Sequence, residues 1–121
     1  MVAYSQTASD HYRHPRNVGV LPDADAVGVA ADAENHITLY LRLHSSRVVE
    51  ARFRALACNA CIACASALTV LLEGMVELQA RRLARADLLA ALDGLPPEKL
   101  HCADLVLTAL GRALAAASGR G

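Results

Sequence analysis

Three of the chain's four cysteines stand within seven residues, Cys58-Asn59-Ala60-Cys61-Ile62-Ala63-Cys64, and the fourth, Cys102, follows directly after His101. A C-x2-C-x2-C run is a spacing by which thiolates wrap an iron–sulfur cluster, and four sulfurs complete a ligand set. Zinc suits the same residues, because spacing alone does not separate a thiolate zinc site from an iron site. A third chemistry needs no metal: one activated thiolate, Cys58 or Cys102, can carry a persulfide. No nucleophile–base–orienter set, paired carboxylates or glycine-rich phosphate loop stands beside the cysteines. The chain therefore reads as a binding or relay protein and not as an enzyme.

The composition agrees with this reading. A length of 121 residues predicts one domain, 1–121, large enough to bury a core without disulfide staples. Twelve Lys and Arg cancel twelve Asp and Glu, so nothing points to nucleic acid or an anionic membrane as a partner. No apolar segment follows basic residues at the N-terminus and no apolar run is expected to span a bilayer. A reducing cytoplasmic setting is the expectation, where clustered cysteines are more often metal-binding than disulfide-bonded.

Elements that must position the cysteines can be read from periodicity. Met1 to His14 predicts a short N-terminal helix or arm that stops at His14-Pro15, since the residue before a proline leaves the helical region. Ile37, Leu39, Leu41 and Leu43 alternate with polar residues from His36 to His44, a half-buried strand. After Ser45-Ser46-Arg47, a second strand places Val49, Ala51, Phe53 and Ala55 on its apolar face. A weaker strand is expected around Val27 to Ala31. A long helix runs from Ala60 to Glu73 and closes at Gly74, with shorter helices over Glu77 to Ala84 and Arg85 to Leu92. A last helix begins near Glu98, and Ala103, Val106, Leu107, Leu110, Ala113, Leu114 and Ala117 form its core stripe. The fold class is α+β, a small antiparallel sheet of about three strands covered on one face by helices.

On that scaffold Cys58 falls where the second strand meets the long helix, and Cys102 in the first turn of the last helix. Unpaired backbone N–H groups and the helix dipole favour thiolate at both places. If the two helix N-termini converge, Cys58, Cys102 and His101 meet at one edge. Cys61 and Cys64 share a helix face one turn apart, but Cys58 to Cys64 spans roughly 9 Å of helical rise. Either the first turn unwinds or Cys64 stays outside the site, as a small core residue.

Tyr4-Ser5, Asp10-His11-Tyr12, His14-Pro15-Arg16-Asn17-Val18-Gly19, Ala51-Arg52-Phe53, Ala57-Cys58, Ile62-Ala63, Ser66 and Leu95-Pro96-Pro97-Glu98-Lys99-Leu100-His101-Cys102 resemble, in order and over nearly the whole chain, the U-type iron–sulfur scaffold family of IscU and the N-terminal domain of NifU. The resemblance implies that family's α+β fold. It also implies its role, assembling clusters from sulfur delivered by a cysteine desulfurase and passing them to apo-proteins. Leu95 to Lys99 matches the segment grasped by a heat-shock chaperone of the DnaK type. Cys58 and Cys102 match the family's second and third cysteines, and His101 its adjacent histidine.

The departures are specific. The family's first cysteine has no counterpart between Gly28 and His36, where Asn35 falls near the family's aspartate, while Cys61 and Cys64 stand where the family has small non-ligand residues. The simplest account is a relocated site in which Cys58, Cys61, Cys64 and Cys102 bind the cluster, with His101 as an alternate ligand. Asp32, Glu34 or His36 can supply a fourth. [2Fe–2S] is the expected cluster, [4Fe–4S] is compatible with four thiolates, zinc can stand in place of either, and the site can be shared across a homodimer. A zinc-bound structural paralogue and a metal-free sulfur relay remain the alternatives.

Overall fold

Alternation between His36 and Leu56 folds as an antiparallel hairpin, β2 (His36–His44) with β3 (Arg47–Leu56), and β1 (Ala26–Ala31) pairs antiparallel to the other side of β2. The computed structural model describes residues 3–118. Ser45 and Ser46 make the turn with φ of 51° and 61°. One expectation is corrected inside the hairpin. Arg42 pairs with Glu50 but Leu43 pairs with Val48, so β3 carries one extra residue. Such a bulge reverses the side-chain alternation, burying Val48 completely and leaving Val49 46% exposed.

The inner face of the sheet carries Ala26, Gly28 and Ala30 on β1, Ile37, Leu39 and Leu41 on β2, and Val48, Ala51 and Phe53 on β3. Two helices cover it: α2 (Asn59–Leu72) against β3 and α5 (Leu100–Ser118) against β1 and β2. Gly28 sets how close α5 comes. A Cβ there would lie 2.0 Å from the Ala109 carbonyl oxygen and 2.5 Å from the Ala113 nitrogen. This contact also shifts the expected core stripe of α5. It adds the fully buried Ala109, a small residue opposite the glycine, while Leu107 and Ala117 are half-buried and still pack against the core.

Pro97–Ala117, with mean hydropathy 1.3, is by length and composition alone apolar enough to cross a membrane. That corrects the expectation that no run is long enough. The reason is visible in its packing: a helix that buries one face under a sheet needs the same apolar residues.

Smaller elements complete the cover. α1 (Gln6–Arg13) starts at Ser5, whose hydroxyl accepts the Ala8 N–H at 2.9 Å, and ends before Pro15 as expected. α3 is shorter than expected, Glu77–Ala80, and α4 spans Arg85–Leu92, closed by Asp93 and Gly94 at positive φ. A 3-10 turn at Pro97–Lys99 leads directly into α5.

The N-terminal arm is pinned to the buried helix α2. The Ser66 hydroxyl accepts the Arg16 backbone N–H at 2.9 Å and lies 2.8 Å from His11 Nδ1. Asn17 donates to Thr69 Oγ1 at 3.2 Å. Tyr4 and Tyr12 pack against each other within the arm, with ring centroids 5.4 Å apart.

Candidate metal centre

β3 delivers the chain to Cys58, which caps the N-terminus of α2 in an extended conformation, φ −71° and ψ 165°. The first turn of α2 is regular, with the Ile62 N–H donating to the Cys58 carbonyl at 3.1 Å. Cys61 therefore points from the first turn toward the same end of the molecule. The Pro97–Lys99 turn starts α5 so that Cys102 falls in its opening turn. The two helix N-termini converge. Cys58 Sγ and Cys102 Sγ are 3.6 Å apart, and the thiols of Cys58, Cys61 and Cys102 all lie within 4.8 Å of one another. His101 Nε2 is 3.7 Å from Cys102 Sγ, on the exposed side.

Cys64 is fully buried but is not one of that group of three. Because the first turn of α2 does not unwind, the helical rise carries Cys64 one turn further into the core. Its thiol is pushed up by burial. Cys61 is also pushed up, chiefly because its S–H donates to Cys102, and then by burial. Cys102 is correspondingly lowered by that donated proton, with a further donor at Cys58 and with His101 and Lys99 nearby, against the cost of burial. The arrangement favours the thiolate at Cys102 over that at Cys61, and a divalent cation would displace the remaining protons. All four cysteines are free of disulfides.

Two thiolates at about 2.3 Å from one tetrahedral metal sit about 3.8 Å apart, and Cys58 with Cys102 comes close to that spacing as it stands. Three thiols with an imidazole on the open side make a complete soft donor set. The site residues therefore fit a thiolate-bound metal or one edge of a cluster.

The acidic loop expected to offer a fourth ligand divides into separate roles. His36 lies on the outer face of the sheet and does not belong to the group of three thiols. Asp32 accepts the backbone N–H groups of Glu34 and Asn35 at 2.9 and 2.8 Å, and these bonds hold its carboxyl below its ordinary value. Asp32, Glu34, Glu98, Lys99 and His101 line an open groove of about 520 Å³ beside the cysteines.

Sequence reasoning missed Asn35 as a structural partner of the site. Its side chain is buried, donates from Nδ2 to both oxygens of Asp32 and accepts the Cys58 backbone N–H at Oδ1, 2.9 Å away. The spacing Asp32-x-x-Asn35 is a turn signal that could have suggested the loop's shape. The 23-residue jump to Cys58 carries no sequence signal.

The family model for the NifU-like N terminal domain matches residues 3–120. The iron-sulfur cluster assembly scaffold protein IscU 1 of Archaeoglobus fulgidus is 35% identical over 113 residues, covering 92% of this chain and 74% of that one. The nitrogen fixation protein NifU of Cereibacter sphaeroides is 44% identical over 115 residues, covering 93% of this chain and 47% of that longer protein. The crystal structure of a NifU-like protein (N-terminal) from Brucella abortus superposes with a TM-score of 0.77 at 16% identity, covering 97% of this chain and 95% of that one, a likeness of fold. The three-stranded sheet under helices is thus a shared fold, and this chain belongs to the NifU-like N terminal domain family.

Proposed function

We propose that this chain is an iron–sulfur cluster scaffold or carrier, a single domain that takes up iron and sulfide and hands the cluster on without turning over a substrate of its own. The observation that carries the reading is the meeting of Cys58, Cys61 and Cys102 within 4.8 Å in a member of this family. The relatives named as iron–sulfur cluster assembly scaffolds support it. The cluster is the cargo. Cys58, Cys61 and Cys102 supply three thiolates, and the exposed imidazole of His101 is the fourth ligand. One imidazole among thiolates leaves an exchangeable position, which a carrier needs, and [2Fe–2S] is the cluster best matched to four ligands of this kind. Cys64 is left as a core residue, which narrows the four-cysteine set expected from the sequence run.

A cysteine desulfurase is the proposed sulfur source, apo iron–sulfur proteins the recipients and the cytoplasm the setting. Leu95 to Lys99 stands beside the site as a half-exposed to exposed segment around the buried Pro96, available to a chaperone of the DnaK type. A homodimer sharing the exposed side of the site is compatible with this arrangement.

Zinc is the second reading, favoured by one observation: the 3.6 Å separation of Cys58 and Cys102 sulfurs suits two ligands of a single ion. Anaerobic purification and reconstitution, followed by visible absorption and iron, zinc and acid-labile sulfide assays on one sample, separates the two. Iron and sulfide in near-equal amounts with a charge-transfer spectrum are expected. Protein that takes up neither after reconstitution, or that keeps stoichiometric zinc throughout, would sink the scaffold reading.

A further inference from the structure

The outer face of the sheet has a chemistry of its own that the cysteine site does not use. Across it the residues fall in rows, Val29–Thr38–Arg54 and Val27–Tyr40–Arg52. β1 therefore offers an apolar column, β2 a column of hydroxyls and β3 a column of guanidinium groups. A hollow of about 290 Å³ opens between the last two columns, walled by His36, Thr38, Tyr40, Arg54 and Leu56. No carboxylate lines it. Arg52 is matched by Glu50 at 2.9 Å, whereas Arg54 has neither an ion pair nor a side-chain hydrogen bond among the described residues. Leu56 is 81% exposed, more than any other large apolar residue described, and Val27 and Val29 are 43% and 40% exposed.

Because the whole chain has no net charge, this positive column is a local excess and not the reflection of a basic protein. An unmatched arginine among hydroxyl and imidazole groups, with an exposed leucine beside it, suits a carboxylate flanked by an aliphatic side chain. A small free anion would satisfy Arg54 and leave Leu56, Val27 and Val29 in water. A protein surface covers both, and exposed apolar groups rimmed by polar ones mark such contacts.

We propose that this hollow and the column of arginines form the docking surface for an acidic protein, and, resting on the scaffold reading above, that this protein is the apo-protein that receives the cluster. Leu56 is two residues from Cys58 in the same chain segment, so a partner seated on the hollow is held beside the thiols. The positive column steers the acidic partner in, and Leu56 holds it once there.

The test uses the full chain as purified, titrated into a fluorescently labelled, acidic apo-[2Fe–2S] ferredoxin. Binding is read first because it needs no cluster. Arg54→Glu and Leu56→Asp, both at exposed positions, are each expected to weaken binding on the order of tenfold, the charge variant losing its effect as salt rises from about 0.05 to 0.3 M. Arg82→Glu, outside the sheet, is expected to bind as the parent does. With cluster-loaded protein, the first two variants should slow transfer by the same factor while iron and sulfide content stay unchanged. Equal binding by all four proteins overturns the proposal. So does a parent chain whose dimer, seen by sedimentation, is lost in Arg54→Glu, since the face would then join two copies of this chain. A parent that binds the ferredoxin yet takes up no iron or sulfide upholds the docking surface and overturns the scaffold reading alone.

Discussion

Two places on one sheet bring α5 close to its neighbours by opposite means. Midway along the helix, small residues remove the obstacles: Gly28 on β1 lets the backbone at Ala109 and Ala113 approach to a distance no side chain would permit. At its N-terminus, reactive residues gather. Cys102 meets Cys58 and Cys61 across the start of α2, and the contact there is between thiols that each prefer a metal or a proton to one another. The first place is held by shape and has no chemistry. The second has chemistry, carried by thiols of which Cys61 and Cys102 are also fully buried. Stability and function are therefore separable in this molecule, and substitutions should reveal them separately.

The sharpest way to break the contrast is Gly28→Ala. The added methyl would meet backbone atoms that cannot rotate away, so α5 must lift from β1, and a loss of about 3 kcal/mol or more is expected in chemical denaturation. A small change in melting temperature would mean that the seam is looser than the distances require. At the other end, Cys61→Ser is expected to keep the fold while weakening Co²⁺ or Zn²⁺ binding by more than the roughly 100-fold seen for loss of outer-shell partners. Cys64→Ala should do the reverse, costing about 1 kcal/mol of stability and leaving the Co²⁺ thiolate spectrum unchanged. If the two variants behaved alike, the partition between Cys61 and Cys64 would fail.

Asn35 sits where the two regions touch, and Asn35→Ala tests whether the boundary between them is sharp. The substitution leaves the Cys58 N–H without its acceptor, with an expected cost of about 2 kcal/mol. Because that N–H caps α2 beside a thiol, Co²⁺ affinity should fall as well. Asn35→Asp keeps the acceptor and is expected to recover affinity in part. An alanine variant that loses stability but binds Co²⁺ normally would place Asn35 wholly with the structural region.

The smallest effect concerns the arm. The Ser66 hydroxyl accepts the Arg16 N–H at 2.9 Å and shares a hydrogen bond with His11 Nδ1 at 2.8 Å, so the ring is held against α2. Burial lowers the His11 pKa below its ordinary 6.5, aided by Arg16 and opposed by Asp10. A depressed histidine pKa means that the unfolded chain takes up the proton first as pH falls. The His11 contribution is therefore complete above pH 6.5 and is lost below it, toward the lowered folded value. The melting temperature of the parent should decline more steeply as pH falls below 6.5 than that of His11→Asn, whose amide keeps a hydrogen-bonding group beside Ser66 without a titrating proton. Parallel curves would remove His11 from the arm's account.

Much of the fold was legible because it is written in short periods. The two-residue alternation of His36 to His44 predicts β2 to the residue, and Gly74 and Asp93-Gly94 mark the ends of α2 and α4. The Leu-Pro-Pro-x-Lys-x-His-Cys segment carried the family. Val49 was misplaced because a bulge is a property of two paired strands and cannot be seen in either one.

What the sequence by itself determined is therefore the set of elements, the family and the presence of a cysteine site at two helix N-termini. Those follow from local spacing, which a linear chain displays in full. Only the tertiary structure decided which three of the four cysteines meet, that Asn35 braces Cys58, and that Arg54 and Leu56 share an open hollow. The first two depend on residues far apart in the chain brought within a few ångströms, the hollow on the pairing of β2 with β3, and the choice of cysteines also on whether a helix keeps its regular rise through Cys64. Cys61 and Cys64 have the same type, the same helix and the same burial. Three residues of helix, about 4.5 Å of rise, separate a thiol that reaches Cys58 and Cys102 from one that stays in the core.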